Sequence, residues 1–471
     1  MLTNEEVAQV HETSLEILEK TGISTNSSKI TEILIRNGAE IMRDTGHVSI
    51  TSSLVKDALK TAPKEIHLYG RHNNEMVLER GRVHFGFGGT PLHQILDLKT
   101  GRSRASTKQD VADATKLGDA LPNMAFMMAI CGATDVPHGT EHLHEIEVVL
   151  ENTGKHIVWA LPEAPTAKKA IEMATVVSGG FKELQERPIL SCYSESISPL
   201  TFSTMNEDLV EFATAGLPVF FTGCPMIGLT GPATMIGSYA LGNAETLAAI
   251  TLSQLINPGT PIIYGPGVAV SDLRTLRFSF AAPEWATGHI IQSQLAAHYQ
   301  LPTFGWGGSS DSKLPDSQAG AEAALMTLMS ALSGINMIHC CGYLAGSDYG
   351  SMEMAVVCDE IIGWIFRVMD GARVDHESLA LDVINEVGSK GSYLKHHHTF
   401  KHLKREIFTP GLFDRYNEPI WTQKGGKDIR EVARARVKKI LTEHNPQPIS
   451  ADAKATLRKI VQTADDAIPP E

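Results

Sequence analysis

Twelve side chains stand at or just beyond the ends of short apolar runs: Phe87, Thr90, His93, Trp159, Tyr193, Glu195, Cys224, Tyr264, Trp306, Asp311, His339 and Tyr343. The set is rich in rings, holds two carboxylates and has no Lys or Arg. Only 6% of the chain is aromatic, so several rings at one place would be a concentration. Aromatic faces beside a carboxylate suit a quaternary ammonium, through cation–π attraction and charge pairing. Tyr193, Tyr264, Trp306 and Tyr343 are the candidate cage, and Glu195 and Asp311 the candidate carboxylates. Taken singly, each aromatic reads more readily as core filling. The ligand reading rests on their coming together.

Other chemistries find less support. No HExxH, P-loop or GxSxG elbow occurs, and GFGGTP at 86–91 lacks the spacing of the dinucleotide fingerprint. His396, His397, His398 and His402 include a pair at helical i, i+4 spacing, read as a polar surface cluster before a zinc site. No metal site is expected. Six cysteines without a CxxC pair read as reduced thiols of a cytoplasmic protein. Net charge is −13, which argues against a nucleic-acid binder. No run of 18 apolar residues is present, so no membrane span is expected, and the acidic amphipathic start does not read as a signal peptide.

The elements that must position these residues repeat. Apolar runs occur at 83–88, 124–130, 156–161, 188–194, 218–223, 261–266, 302–307 and 335–340. Helical patterns follow them at 108–120, 141–152, 166–178, 206–215, 232–256, 283–299, 316–333 and 352–369. Eight strands, each followed by a helix, predict a TIM (β/α)8 barrel, with chemistry at the carboxyl ends of the strands. A doubly wound open sheet is the other architecture this alternation can feed. Residues 1–80 are read as an N-terminal helical cap, opening on the capping-box pair Thr3 and Glu6. Residues 81–370 form the barrel and 371–471 a C-terminal helical extension, with surface helices at 429–443 and 451–466.

Several long motifs, in order, resemble one family over nearly the whole chain. They are EILEKTGIS, LYGR near 70, SPL at 198–200, GLTGPATMIGSYALGNAETLA at 228–248, NPGTPIIYG at 257–265, GGSSDSKLPDSQAG at 307–320 and HHHTFKHLKRE. The family is the trimethylamine methyltransferase (MttB-type) family of corrinoid-dependent methyltransferases. The resemblance implies a TIM barrel. It also implies methyl transfer from a methylated amine to the cobalt of a separate corrinoid protein, so cobalamin comes with the partner and none is held tightly. Methanogen members carry pyrrolysine in the barrel, whereas this chain is written in standard residues throughout. Relatives lacking pyrrolysine resemble quaternary-amine demethylases. Glycine betaine leads the substrates so implied, ahead of proline betaine, carnitine and γ-butyrobetaine.

On that reading Glu195, Asp311 and His339 carry the catalytic roles, and His93, His339, Arg274 or Arg277 could meet a betaine carboxylate. The mouth is expected to be wide enough to admit a corrin ring, and a homo-oligomer is expected. Two other readings stay open. A different TIM-barrel enzyme, such as a lyase, would need an acid–base pair in the mouth, and a non-catalytic betaine binder would need only the cage.

Overall fold

The computed structural model describes residues 1–71, 74–160 and 164–468. Eight parallel strands form its centre: β1 His84–Phe87, β2 Met124–Met127, β3 His156–Ala160, β4 Leu190–Glu195, β5 Val219–Thr222, β6 Ile262–Tyr264, β7 Phe304–Trp306 and β8 Met337–Cys341. They pair in the order β6-β5-β4-β3-β2-β1-β8-β7. The ring closes where the Tyr264 N–H donates to the Pro302 carbonyl at 2.9 Å and Tyr264 bridges Thr303 in parallel. The expected TIM barrel is therefore what forms, and the open sheet is excluded. Leu161, placed in the third apolar run, lies outside the described residues.

Each strand is followed by its helix: α1 Lys108–Ala120, α2 Glu141–Asn152, α3 Ala164–Ser178, α4 Glu207–Ala215, α5 Met235–Ile256, α6 Pro283–Tyr299, α7 Ser317–Ser333 and α8 Met352–Met369. Local chemistry fixes their ends. Thr107 and Asp110 form a capping box on α1, Asp316 Oδ1 accepts the Ala319 N–H at the start of α7, and Gly334 closes α7 at φ 96°.

Two-residue alternation sorts the strand side chains. Phe126, Met128, Val158, Ala160, Tyr193, Phe220, Ile263, Phe304 and Met337 pack together inside the barrel. β1 contributes Gly86 there, because a Cβ would lie 2.1 Å from the Phe126 ring. Ile66, Leu68, Met76 and Leu78 join the same cluster from a hairpin of Ile66–Tyr69 and Glu75–Leu78. This hairpin crosses the amino end of the barrel, with the Tyr69 N–H on the Pro188 carbonyl, and plugs it. Sequence patterning places this stretch inside the helical cap of residues 1–80 and predicts no hairpin there. The plug's short strands are held by pairing and by the barrel floor.

Before the barrel, helices Asn4–Lys20, Ser28–Arg36 and Ser52–Thr61 lie on α5. After it, helices Ile429–Glu443 and Ala451–Asp465 pack against α8 and α3. Among the described residues, no helix is long and apolar enough to cross a membrane.

Candidate active site

β4 delivers the first two functional side chains. Tyr193 and Glu195 face the barrel axis, and the Tyr193 hydroxyl donates to Glu195 Oε2 at 3.2 Å. Glu195 keeps some solvent exposure, yet atoms crowd it closely enough for burial to raise its pKa. The opposite face of the strand is fastened from behind. Asp208 of α4 accepts from the Ser194 hydroxyl at 2.8 Å and the Cys192 thiol at 3.2 Å, while Asn206 Nδ2 donates to the Glu195 carbonyl at 2.7 Å. Burial pushes the Asp208 carboxyl up to about 7.

The chain leaving β4 is latched by a second buried acid. Glu245 of α5 accepts from the Ser196 hydroxyl at 2.7 Å, the Ser198 hydroxyl at 2.8 Å and the Leu200 N–H at 2.7 Å. Glu195 is thus the end of a strand held from both sides by acids that point away from the barrel axis.

β7 and β8 supply the facing side. The His339 ring lies flat on Phe304, with centroids 4.3 Å apart and planes 8° apart. Its centroid is 6.0 Å from that of Tyr193 and 6.4 Å from that of Trp306. Burial first, and then His289, lower the His339 pKa to about 3, so the ring is neutral at pH 7. Trp306 meets Trp285 edge-on at 4.0 Å and His289 at 5.4 Å. Gly267 sits beneath it, where a Cβ would come within 2.1 Å of the indole. Trp306 Nε1 is buried without a hydrogen-bond partner, an unusual state for such a donor.

Of the eight sequence candidates, then, Tyr193, Glu195, Trp306 and His339 come together. The other four go elsewhere. Tyr264 points outward into the helix layer, where its hydroxyl donates to Asn243 Oδ1 at 2.7 Å. Asp311 accepts from the Ser279 hydroxyl and, at 3.2 Å, from the Phe280 N–H, tying the loop after β7 to a hairpin of Val270–Asp272 and Arg277–Ser279. Tyr343 packs on Gly89 and donates its hydroxyl to the Thr90 carbonyl. His93 is exposed and lines a cavity of about 550 Å³ with Ala133, His138, Glu141, His142, Thr166 and Met205. This cavity, cut between the loops after β1 to β4, is of small-ligand size. Arg274 and Arg277 pair with Asp272 and Asp348 on the exposed hairpin.

Among the described residues no cluster of three metal-ligating side chains is poised for an ion. In the histidine run, the His398 ring lies 4.2 Å from that of His402, and His402 Nε2 meets Glu377 at 3.1 Å.

Sequence reasoning passed over Phe304, Trp285, Asp208 and Glu245. The last had a readable signal, since Glu245 is the only charged residue in the 22 residues of α5. The resulting group has three rings around a neutral imidazole, one acid and no cation. Chemically it can hold a positive charge and exclude water from it.

Residues 1–469 match the model of a family described as trimethylamine methyltransferase (MTTB). The chain is 34% identical over 469 residues to trimethylamine methyltransferase MttB of Desulfitobacterium hafniense, covering 98% of this chain and 94% of that one. It is 35% identical over 467 residues to a glycine betaine methyltransferase of the same species, covering 98% and 96%. Identity to MttB of Methanosarcina thermophila is 31% over 459 residues, covering 96% and 95%. Among solved structures, the Methanosarcina barkeri monomethylamine methyltransferase (MtmB) aligns over 92% of each chain, with a TM-score of 0.49 and 11% identity.

Proposed function

The chain belongs to the trimethylamine methyltransferase (MTTB) family, and from that premise we propose that it demethylates a quaternary amine, glycine betaine first among them. The methyl group passes to Co(I) carried by a separate corrinoid protein, and a tertiary amine such as dimethylglycine is released. The observation that carries this reading is the hydrogen bond from Tyr193 to Glu195 at the edge of a group in which Tyr193, Phe304 and Trp306 surround His339, with no cationic side chain in the group. A quaternary ammonium seated there offsets the cost of ionising a buried carboxylate, and the ring faces add cation–π attraction.

The state of His339 favours a quaternary over a tertiary amine. A tertiary amine must be made cationic before it can leave, which needs an acid or an equivalent electrophile. An imidazole with a pKa near 3 carries no proton to give at neutral pH. A quaternary nitrogen already bears its charge. The C–N bonding pair stays with nitrogen, which departs neutral, and the new carbon bond takes both its electrons from the cobalt nucleophile. No proton moves. The protein's task is to hold one N–CH3 bond pointing out of the mouth, in line with the acceptor. Glu195 and the rings bind the charge, His339 fills the floor as a neutral wall, and the Trp306 N–H is left to receive an acceptor atom of the substrate. The same histidine weighs against a lyase, which needs a titrating pair in the mouth.

The test is methyl transfer to a corrinoid protein held as Co(I), followed by cobalt absorbance, with glycine betaine, proline betaine, carnitine, γ-butyrobetaine and trimethylamine offered separately. Transfer from glycine betaine alone is expected. Transfer from trimethylamine alone overturns the quaternary reading. Glu195→Gln is expected to weaken substrate binding by about 2 kcal/mol, roughly thirtyfold, read by calorimetric titration.

A further inference from the structure

His339 is held by the residue that follows it. β8 pairs with β1 in register as far as Ile338, opposite Phe85, and the register then shifts before Cys341 meets Phe87. Inside that irregularity Cys340 takes φ 70°, the left-handed region that a residue with a Cβ rarely enters. Such strain persists only where the surroundings impose it, and it gathers at functional sites. Here the surroundings do impose it. The Cys340 N–H donates to the Gly88 carbonyl at 2.6 Å, and the Ser309 hydroxyl donates to the Cys340 carbonyl at 3.2 Å. The Gly88 N–H then closes on the Cys341 carbonyl at 3.2 Å.

The outcome is a contact that a regular strand does not make. Successive side chains of a strand point to opposite faces. The left-handed residue instead brings Cys340 Sγ to 3.1 Å from Nδ1 of the preceding ring. Both residues are buried. Burial pushes the Cys340 thiol up and the His339 imidazole down, so the pair is thiol and neutral imidazole, not thiolate and imidazolium. One hydrogen lies between sulfur and nitrogen. Sulfur accepts hydrogen bonds weakly and a bare imidazole nitrogen accepts them well, so the thiol donates and Nδ1 accepts. The ring proton is then on Nε2.

Among the described residues, Nε2 meets no polar partner nearer than that same sulfur, at 3.9 Å. The ring lies flat on Phe304, so its N–H runs along the Phe304 plane and not into it. A neutral N–H without an acceptor thus stands in the same group as the unpartnered N–H of Trp306. Glu195 accounts for the cationic end of a zwitterion, and donors are what its anionic end needs. A cationic donor would pair with Glu195 and compete with the substrate's ammonium. A neutral donor does not.

We propose that Cys340 is a positioning residue: its thiol fixes the proton of His339 on Nε2, and that N–H donates to a carboxylate of the substrate. The second half rests on the quaternary-amine reading, and the first does not.

Two measurements on the full chain test it. In protein labelled with 15N-histidine, two-bond 1H–15N correlations show which nitrogen of His339 carries the proton, with His339→Gln identifying its signals. The wild type is expected to hold it on Nε2. Cys340→Ala is expected to give a mixture of tautomers, and Cys340→Ser, which restores a donor, to return to Nε2. Calorimetric titration then compares glycine betaine with tetramethylammonium, which has no acceptor atom. Cys340→Ala is expected to bind glycine betaine about tenfold more weakly, the worth of one hydrogen bond, and tetramethylammonium as the wild type does. Cys340→Ser should recover most of that affinity. Cys340→Gly removes strain and thiol together and should match Cys340→Ala.

A proton on Nδ1 in the wild type overturns the proposal. So does an equal loss for both ligands in Cys340→Ala, which would make the thiol a packing group, and so does wild-type betaine affinity in Cys340→Gly. A wild type that binds neither ligand fails the quaternary-amine reading and takes this proposal with it. A wild type that binds both, with the variants unmoved, fails this proposal alone.

Discussion

Helix α5 and the helix at His397–Glu406 solve burial in opposite ways. In α5, seventeen residues from Ser238 to Gln254 are buried without a break, and the polar ones all have assigned tasks. Glu245 latches the loop after β4, Asn243 bonds Tyr264 and Tyr299, and Thr246 turns back on the Gly242 carbonyl. The second, in the arm of residues 370–428 that follows the barrel, buries nothing, with its charges on one side and an uncovered apolar stripe, Phe400 and Leu403, on the other. A buried polar group costs free energy unless it is paired, and an exposed apolar one gains nothing until it is covered. α5 finds its partners in the same chain, whereas the apolar side chains of the arm stay uncovered.

The sharpest way to break this contrast is to remove the latch. Glu245→Ala leaves two hydroxyls and an N–H unpartnered beside a small cavity. A loss of about 3–5 kcal/mol is expected in urea unfolding. A loss below about 1 kcal/mol would mean that α5 does not hold the loop as described. Glu245→Gln keeps an acceptor and should recover about half.

Acidity gives the next effect. The Asp208 carboxyl has a pKa of about 7 in the fold against 3.8 ordinarily, so the folded state keeps a proton that the unfolded chain releases. Stability is therefore lost as pH rises from about 4 to about 7, then levels off. His156, lowered by burial to about 4, works in the opposite direction over part of that range. Comparing the wild type with Asp208→Asn at each pH isolates the aspartate. The wild type should lose about 3 kcal/mol relative to the variant across the window. Parallel curves would show that Asp208 is ionised in the fold.

The smallest effect is expected in the arm. Leu379→Asp with Leu381→Asp should change the unfolding free energy of dilute monomer by under about 0.5 kcal/mol, since neither side chain is covered. A loss above about 2 kcal/mol would place the arm against its own barrel and erase the contrast with α5.

Much of the barrel was legible because its helices announce their own ends. Residues 108–120, 141–152, 283–299 and 352–369 are read from pattern and found at those bounds. The strands were legible as positions but not as orientations. Both faces of a barrel strand are buried, so Phe304 and Tyr264 sit in equally apolar runs although one points inward and the other outward. That is why Tyr193, Glu195, Trp306 and His339 are brought together while Tyr264 is not. Asp311 and Tyr343 lie past their strand ends, where loop hairpins formed by distant pairing decide what each carboxyl or hydroxyl meets. Within the C-terminal extension only the helices at 429–443 and 451–466 were legible, and the four short helices ahead of them were not.

The hairpin under the barrel has a bearing on turnover. With Ile66, Leu68, Met76 and Leu78 packed into the floor, the barrel is closed at its amino end, which leaves only the carboxyl end for access. Substrate entry, departure of the spent amine and hand-over of the methyl group would, in the proposed reaction, all pass through that end. In the proposed reaction the acceptor protein stands in that doorway during transfer, so the product waits beneath it until it lifts away. Traffic at the door, governed by how fast two proteins part, then sets the pace. Excess tertiary amine should slow the next round by occupying the well before fresh substrate arrives.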